Sequence, residues 1–265
     1  MNVYYITTLY RKEKKMSRAS KGFRIAGNLI KFTAFAVIAG VIGLLAWRIF
    51  SSGTPSSLKT MTPNDDLAAA YEIYGDELYI FKQDHKSITT AERNYGYFAI
   101  TDYYIIPEAN QIQLVFRYNN STIRSLAEDY KLGEAPSRDA ELFDLTLTLQ
   151  TDLTPHITTD NAGNIEGTVG YTRLFPTHVE REQTKLYNYF RYVFEFDEAD
   201  LSLSDMLDNG ILLAVYADVY YNQDINYDER AYGTLFLYDY KTDMVKQRLS
   251  GGDKRAIKAY IEGNV

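Results

Sequence analysis

FDLTLTLQ, residues 143–150, puts Phe143, Leu145, Leu147 and Leu149 on one side of an extended chain and Asp144, Thr146 and Thr148 on the other. Successive side chains of a strand point to opposite faces, so a period of two predicts a strand with one buried and one wet face. A helix would need its apolar positions three and four residues apart.

The same period recurs along the chain. Glu77 to Lys82 alternates Leu78 and Ile80 against Tyr79 and Phe81, and Tyr97 to Ile106 is apolar and aromatic. Gln111 to Tyr118 aligns Ile112, Leu114, Phe116 and Tyr118. Phe190, Tyr192, Phe194 and Phe196 form another row, as do Leu213, Val215, Ala217 and Val219, followed by Thr234 to Tyr240 and Met244 to Leu249. The chain has 24 Tyr and 13 Phe against one Trp, residues that suit a pleated, half-buried surface. Seven or more strands without regular alternation with helices predict an antiparallel sandwich over residues 62–265, not a parallel α/β sheet.

Four short helices punctuate the strands. Thr62-Pro63-Asn64-Asp65 predicts a helix capped by Thr62 and closed at Gly75. Ser125-x-x-Glu128 and Ser202-x-x-Asp205 have capping-box spacing, and Gly251-Gly252-Asp253 predicts the start of a C-terminal helix carrying Ile257, Tyr260 and Ile261. DNGILLAVYAD, residues 208–218, resembles the turn and penultimate strand of immunoglobulin-like sandwiches, without their cysteine and corner tyrosine. That resemblance implies an immunoglobulin-like fold and no function.

Ahead of the strands stands KFTAFAVIAGVIGLLAWRIF, residues 31–50, uncharged from Phe32 to Trp47. Nineteen helical residues span roughly 28 Å, close to the ~30 Å hydrocarbon core of a bilayer. Lys31 and Arg48 can snorkel to the headgroups, and Trp47 lies where interfacial aromatics collect, so these three read as membrane-anchor residues. Residues 32–50 are therefore the expected transmembrane helix. The bulky exit AWRIF favours a retained signal anchor over a cleaved signal peptide.

Residues 1–31 carry eight basic residues against Glu13, which places this segment in the cytoplasm and the bulk of the chain outside the cell membrane. The compact basic entry at Met16, preceded by Lys12-Glu13 whose codons can spell a bacterial ribosome-binding core, predicts translation from Met16. Ala36-x-x-x-Gly40 and Ala39-x-x-x-Gly43 offer a surface for helix–helix approach, the basis for possible homodimerisation. Residues 51–61, SSGTPSSLKTM, read as a flexible polar linker.

Chemistry-bearing motifs are sparse. There is no cysteine, which excludes disulfides, thiolate metal sites and cysteine nucleophiles. His85, His156 and His178 have no ligand partner at metal-site spacing, and no serine stands in a nucleophile-elbow motif. Asn222, Asp224, Asn226 and Asp228 space their oxygens like the opening of a Ca2+ loop, but Tyr227 replaces the required glycine and Gly233 the bidentate glutamate. A solvated hairpin tip is the plainer reading. Asn119-Asn120-Ser121-Thr122 contains overlapping glycosylation acceptors.

After Phe50 the chain holds 19 basic and 34 acidic residues, a balance of −15 that repels nucleic acid. The expected partners are the lipid bilayer and another envelope protein or a wall polymer, on which surface tyrosines can stack. The expected function is binding or envelope assembly by a membrane-anchored module. The alternatives are an extracytoplasmic hydrolase and a calcium-dependent surface module.

Overall fold

The computed structural model describes residues 28–47, 54–84, 98–137, 140–152, 169–196, 202–221, 231, 233–239 and 245–263. The chain divides into two compact units between Gly53 and Thr54.

The first unit contains helix α1, Asn28–Trp47, long and apolar enough to cross a membrane. Its apolar side chains, Phe32, Phe35, Val37, Ile42 and Leu44 among them, are exposed. A helix that is apolar all round has no wet face to offer water, as a membrane span requires. Thr33, a polar residue within it, turns its hydroxyl back to donate to the Leu29 carbonyl at 2.9 Å. Lys31 and Trp47 lie within α1, whereas Arg48 falls outside the described residues.

The second unit is mainly β. Its described strands are β1 Tyr79–Asp84, β2 Phe98–Ile106, β3 Gln111–Asn119, β4 Phe143–Asp152, β5 Val169–Leu174, β6 His178–Gln183, β7 Tyr187–Glu195, β8 Leu212–Tyr221, β9 Gly233–Asp239 and β10 Val245–Arg248. Its described helices are α2 Asp65–Tyr74, α3 Asn120–Asp129, α4 Leu203–Asp208 and α5 Gly251–Gly263. The strands form two antiparallel sheets, ordered β10-β1-β2-β3-β7-β6 and β5-β4-β8-β9.

The two sheets share one core. Ile112, Leu114, Phe116 and Tyr118 of β3 and Phe190, Tyr192 and Phe194 of β7 meet Phe143, Leu145, Leu147 and Leu149 of β4. Phe98 stacks on Phe116 at 5.5 Å and meets Phe143 edge-on at 5.1 Å, and Tyr118 stacks on Phe190 at 5.7 Å. Eight of the sixteen described tyrosines are buried, and burial pushes the Tyr118 hydroxyl pKa up to about 12.

The wet face expected of the β3 strand is instead covered. Gln111, Gln113 and Val115, on the side of β3 away from the main core, are all buried. A second apolar cluster lies on this side of the sheet, built from Met61, Leu67, Ala70, Tyr71, Ile106 and Ile257 among others, and a small third one joins Leu58 to Val115 and Tyr189. Residues 54–61, read as linker, therefore pack against the sheet from Thr54 onward, because Leu58 and Met61 supply two apolar anchors within an otherwise polar stretch. Residues 51–53 lie outside the described residues.

Local signals were right in kind and shifted in place. Asn64, not Thr62, caps α2: its backbone is extended and its side chain accepts from the Leu67 N–H, a bond that asparagine makes as well as any residue. Asn119 caps α3 directly at the end of β3, leaving Ser125 in mid-helix. Ser250 and Asp253 form the reciprocal cap of α5, so Gly251 and Gly252 are its first helical residues. Ser202 caps α4 as its spacing predicts, and Gly210, at φ +65°, closes the turn beyond it. Near the start of β8 a register shift opposite Gln150 and Thr151 turns Leu212 inward, so Leu213 is only partly buried.

Candidate functional site

Two surfaces of the β unit gather candidate side chains. The first is the polar seam where residues 54–64 cross the six-stranded sheet as a strap. Gln113 acts there as a surrogate strand: its Oε1 accepts from the Thr62 N–H at 2.9 Å, and its Nε2 donates to the Thr62 carbonyl at 2.8 Å. Gln111 donates to Asn64 Oδ1 at 3.0 Å, and the Asn64 amide donates to Glu195. The Met61 N–H donates to buried Asp253 at 2.9 Å.

At the centre of the seam lies Arg191, whose side chain is 3% exposed, with Nη1 3.8 Å from Glu180. Arg191 Nη1 also donates to Thr62 Oγ1 at 3.1 Å, and that hydroxyl donates onward to Glu180 Oε1 at 2.7 Å. Desolvation pulls the arginine pKa down from its ordinary value, opposed chiefly by Glu180. His178 Nε2 approaches the same carboxylate at 3.5 Å. The order hydroxyl–carboxylate–imidazole leaves the imidazole away from the hydroxyl, so it is not the nucleophile–base contact of acyl transfer. The seam fastens the strap.

Asp102 shows how the fastening responds to pH. Thr54 Oγ1 donates to it at 3.2 Å and Lys82 Nζ lies 3.8 Å away, yet burial dominates and raises its pKa above the ordinary carboxylate value. A raised folded-state pKa means the native state holds the proton more tightly than the unfolded chain. This contribution is therefore full below the unfolded value, about 4, and is lost as pH rises through the folded one. Asp102→Asn is expected to remove that loss. Melting curves of both proteins across pH 3–7 should converge at the acid end and separate, with the variant more stable, at neutral pH.

The second surface is the solvent side of the four-stranded sheet and its β5 edge. Cross-strand pairing places Arg173, Thr148, Tyr216 and Phe236 in one row, with Tyr171 and Gln150 in the next. Asp218 accepts from Thr148 at 2.6 Å and from Thr234 at 2.8 Å, and the Tyr216 and Phe236 rings meet at 5.3 Å. Tyr171 is 68% exposed and Phe236 40%.

Beyond β5 the chain crosses in three residues, Phe175 to Thr177, to β6 in the other sheet. Of the eight exposed large hydrophobic residues described after Gly53, four lie in this one stretch: Val169, Tyr171, Phe175 and Val179. Scattered single hydrophobics are normal on a surface, whereas a cluster marks contact ground.

Of the candidates read from sequence, only some fall on described ground. His178 joins the seam. Asn119 spends its side chain on the α3 cap. His85, His156 and the Ca2+-loop candidates Asn222, Asp224, Asn226 and Asp228 lie outside the described residues. Among the described residues no group of three or more His, Asp or Glu could hold a metal ion. Sequence reasoning missed Gln113, Arg191 and the β5–β6 edge. The signal available for the edge was VGYTRLFPTHV, residues 169–179, where the apolar residues sit beside arginine and proline with too little regularity to define a buried face.

No family model matches the chain, and no characterised protein or solved structure was found to be similar to it.

Proposed function

We propose that this chain is a single-pass protein of the cell membrane, with its N-terminus in the cytoplasm and its β unit outside, where the unit binds another component of the envelope. The gathering of exposed apolar side chains on the β5–β6 edge carries this reading, since a domain with no binding task has no reason to concentrate them there. The apolar helix α1 and its basic N-terminal flank support the anchor and its orientation.

The finer fold belongs to the same proposal. The order β2-β3-β7-β6 facing β5-β4-β8-β9 is that of strands A-B-E-D facing C′-C-F-G in an immunoglobulin-like sandwich, with β1 and β10 added beside strand A.

The test is a photoreactive phenylalanine analogue placed at Tyr171 or Phe175 in the full-length protein, irradiated in intact cells, with Ile73 on α2 as control. A discrete adduct at the first two positions and none at the control is the expected result. Equal labelling at all three positions, or none anywhere, would refute the binding role. Protease added to the same intact cells should digest the β unit.

A further inference from the structure

On the basis of that binding role, we propose that the open edge of β5 accepts an extended segment of a partner protein as an additional strand, and that this segment alternates acidic with apolar residues. The backbone supplies the first argument. β5 pairs with β4 through all six residues without a register shift, and it is the terminal strand of its sheet. Among the described residues no strand pairs with its other side, which offers alternate N–H and C=O groups along roughly 20 Å of strand. Terminal strands are commonly blunted by bulges, internal proline or several charges. β5 contains one charge, Arg173, and Pro176 falls beyond its end.

The side chains supply the alternation. Arg173 and Tyr171 align with Thr148 and Gln150, so they stand on the solvent side of the sheet. On β6, Val179 and Arg181 align with Tyr192 and Phe190, both core-facing, so this pair looks toward the gap between the sheets at the same edge. Arg181 lies 5.6 Å over the Phe190 ring. An added strand would thus turn one set of side chains toward Val179 and the apolar rim and the alternate set toward Arg173.

Charge selects the partner. The chain beyond Phe50 carries a balance of −15, yet among the described residues the exposed charged side chains of this edge are Arg173, Arg181 and Lys185. The two acids of β6 are engaged by the strap, Glu180 with Thr62 and Arg191 and Glu182 with Ser57 at 3.3 Å. This basic cluster in an acidic domain favours an acidic segment at the edge. Backbone pairing supplies affinity and the alternating side chains supply selection, as in other strand additions.

The test uses the full-length protein in nanodiscs and a displayed library of random twelve-residue peptides. The expected winners alternate Asp or Glu with Val, Ile, Leu or aromatic residues. Their binding should fall about tenfold or more with Arg173→Glu and in high salt. Synthetic winners N-methylated at every second residue should lose about tenfold or more in one parity and little in the other, because only one set of N–H groups faces β5. Basic or proline-rich winners, no enrichment, or equal sensitivity of both parities would overturn the proposal. So would a Tyr171 photoadduct made of polysaccharide, an outcome that leaves the binding role standing while removing the strand.

Discussion

Glu180→Ala is expected to destabilise the β unit by about 3 kcal/mol, and Arg191→Met by about 1 kcal/mol or less, although the two side chains form one ion pair. The asymmetry follows from burial. Removing the carboxylate strands a guanidinium that is 3% exposed and keeps the Thr62 hydroxyl as its hydrogen-bonded partner. Glu180 is 35% exposed, so water can solvate it once arginine is gone, and its bond from Thr62 survives. Methionine replaces much of the arginine stem and removes an Nη2 that is buried with no hydrogen-bond partner among the described residues. The partial exposure of Glu180 also keeps the first figure at the low end of the range for a broken buried pair. Urea denaturation of the full-length protein in detergent measures both costs. A larger loss for Arg191→Met would mean that the seam is not an arginine seat. Glu180→Ala should also quicken proteolytic cleavage between Thr54 and Asn64, because Thr62 is held through the same carboxylate.

The parts of this fold that could be read from sequence are those in which one residue type does one job. Phe143, Leu145, Leu147 and Leu149 are apolar and inward, and their spacing suffices to define β4. The strap failed that test because its anchoring is mostly polar. Gln111 and Gln113 look like surface residues in any window of sequence, yet both are buried, since the backbone of Thr62 and the side chain of Asn64 satisfy them. Partners 51 and 47 residues away along the chain leave no periodic trace. The proposed binding edge was hidden for the opposite reason. Tyr171, Phe175 and Val179 are apolar residues that the fold leaves outside, and a hydrophobicity pattern cannot distinguish a residue buried by its own chain from one kept for another molecule.

That distinction is open to measurement by pairing Phe116→Ala with Tyr171→Ala. Phe116 is fully buried, stacked on Phe98, and its truncation is expected to cost about 3–5 kcal/mol through lost transfer energy and the cavity left behind. Part of that loss comes from the aromatic pair itself, about 0.5–1.5 kcal/mol. Tyr171 gives up little surface on folding, so Tyr171→Ala should change stability by no more than about 0.5 kcal/mol. Its effect should fall on binding: the library winners that hold the wild-type edge should lose most of their affinity. Chemical denaturation and peptide titration on the same two variants separate the terms. If Tyr171→Ala instead unfolds the unit while leaving residual binding intact, the exposed edge is part of the fold's own support. Strand addition then loses its side-chain half. A variant that is stable and deaf to peptide, beside one that is unstable but binds whenever folded, divides β5 from the core at the level of single residues.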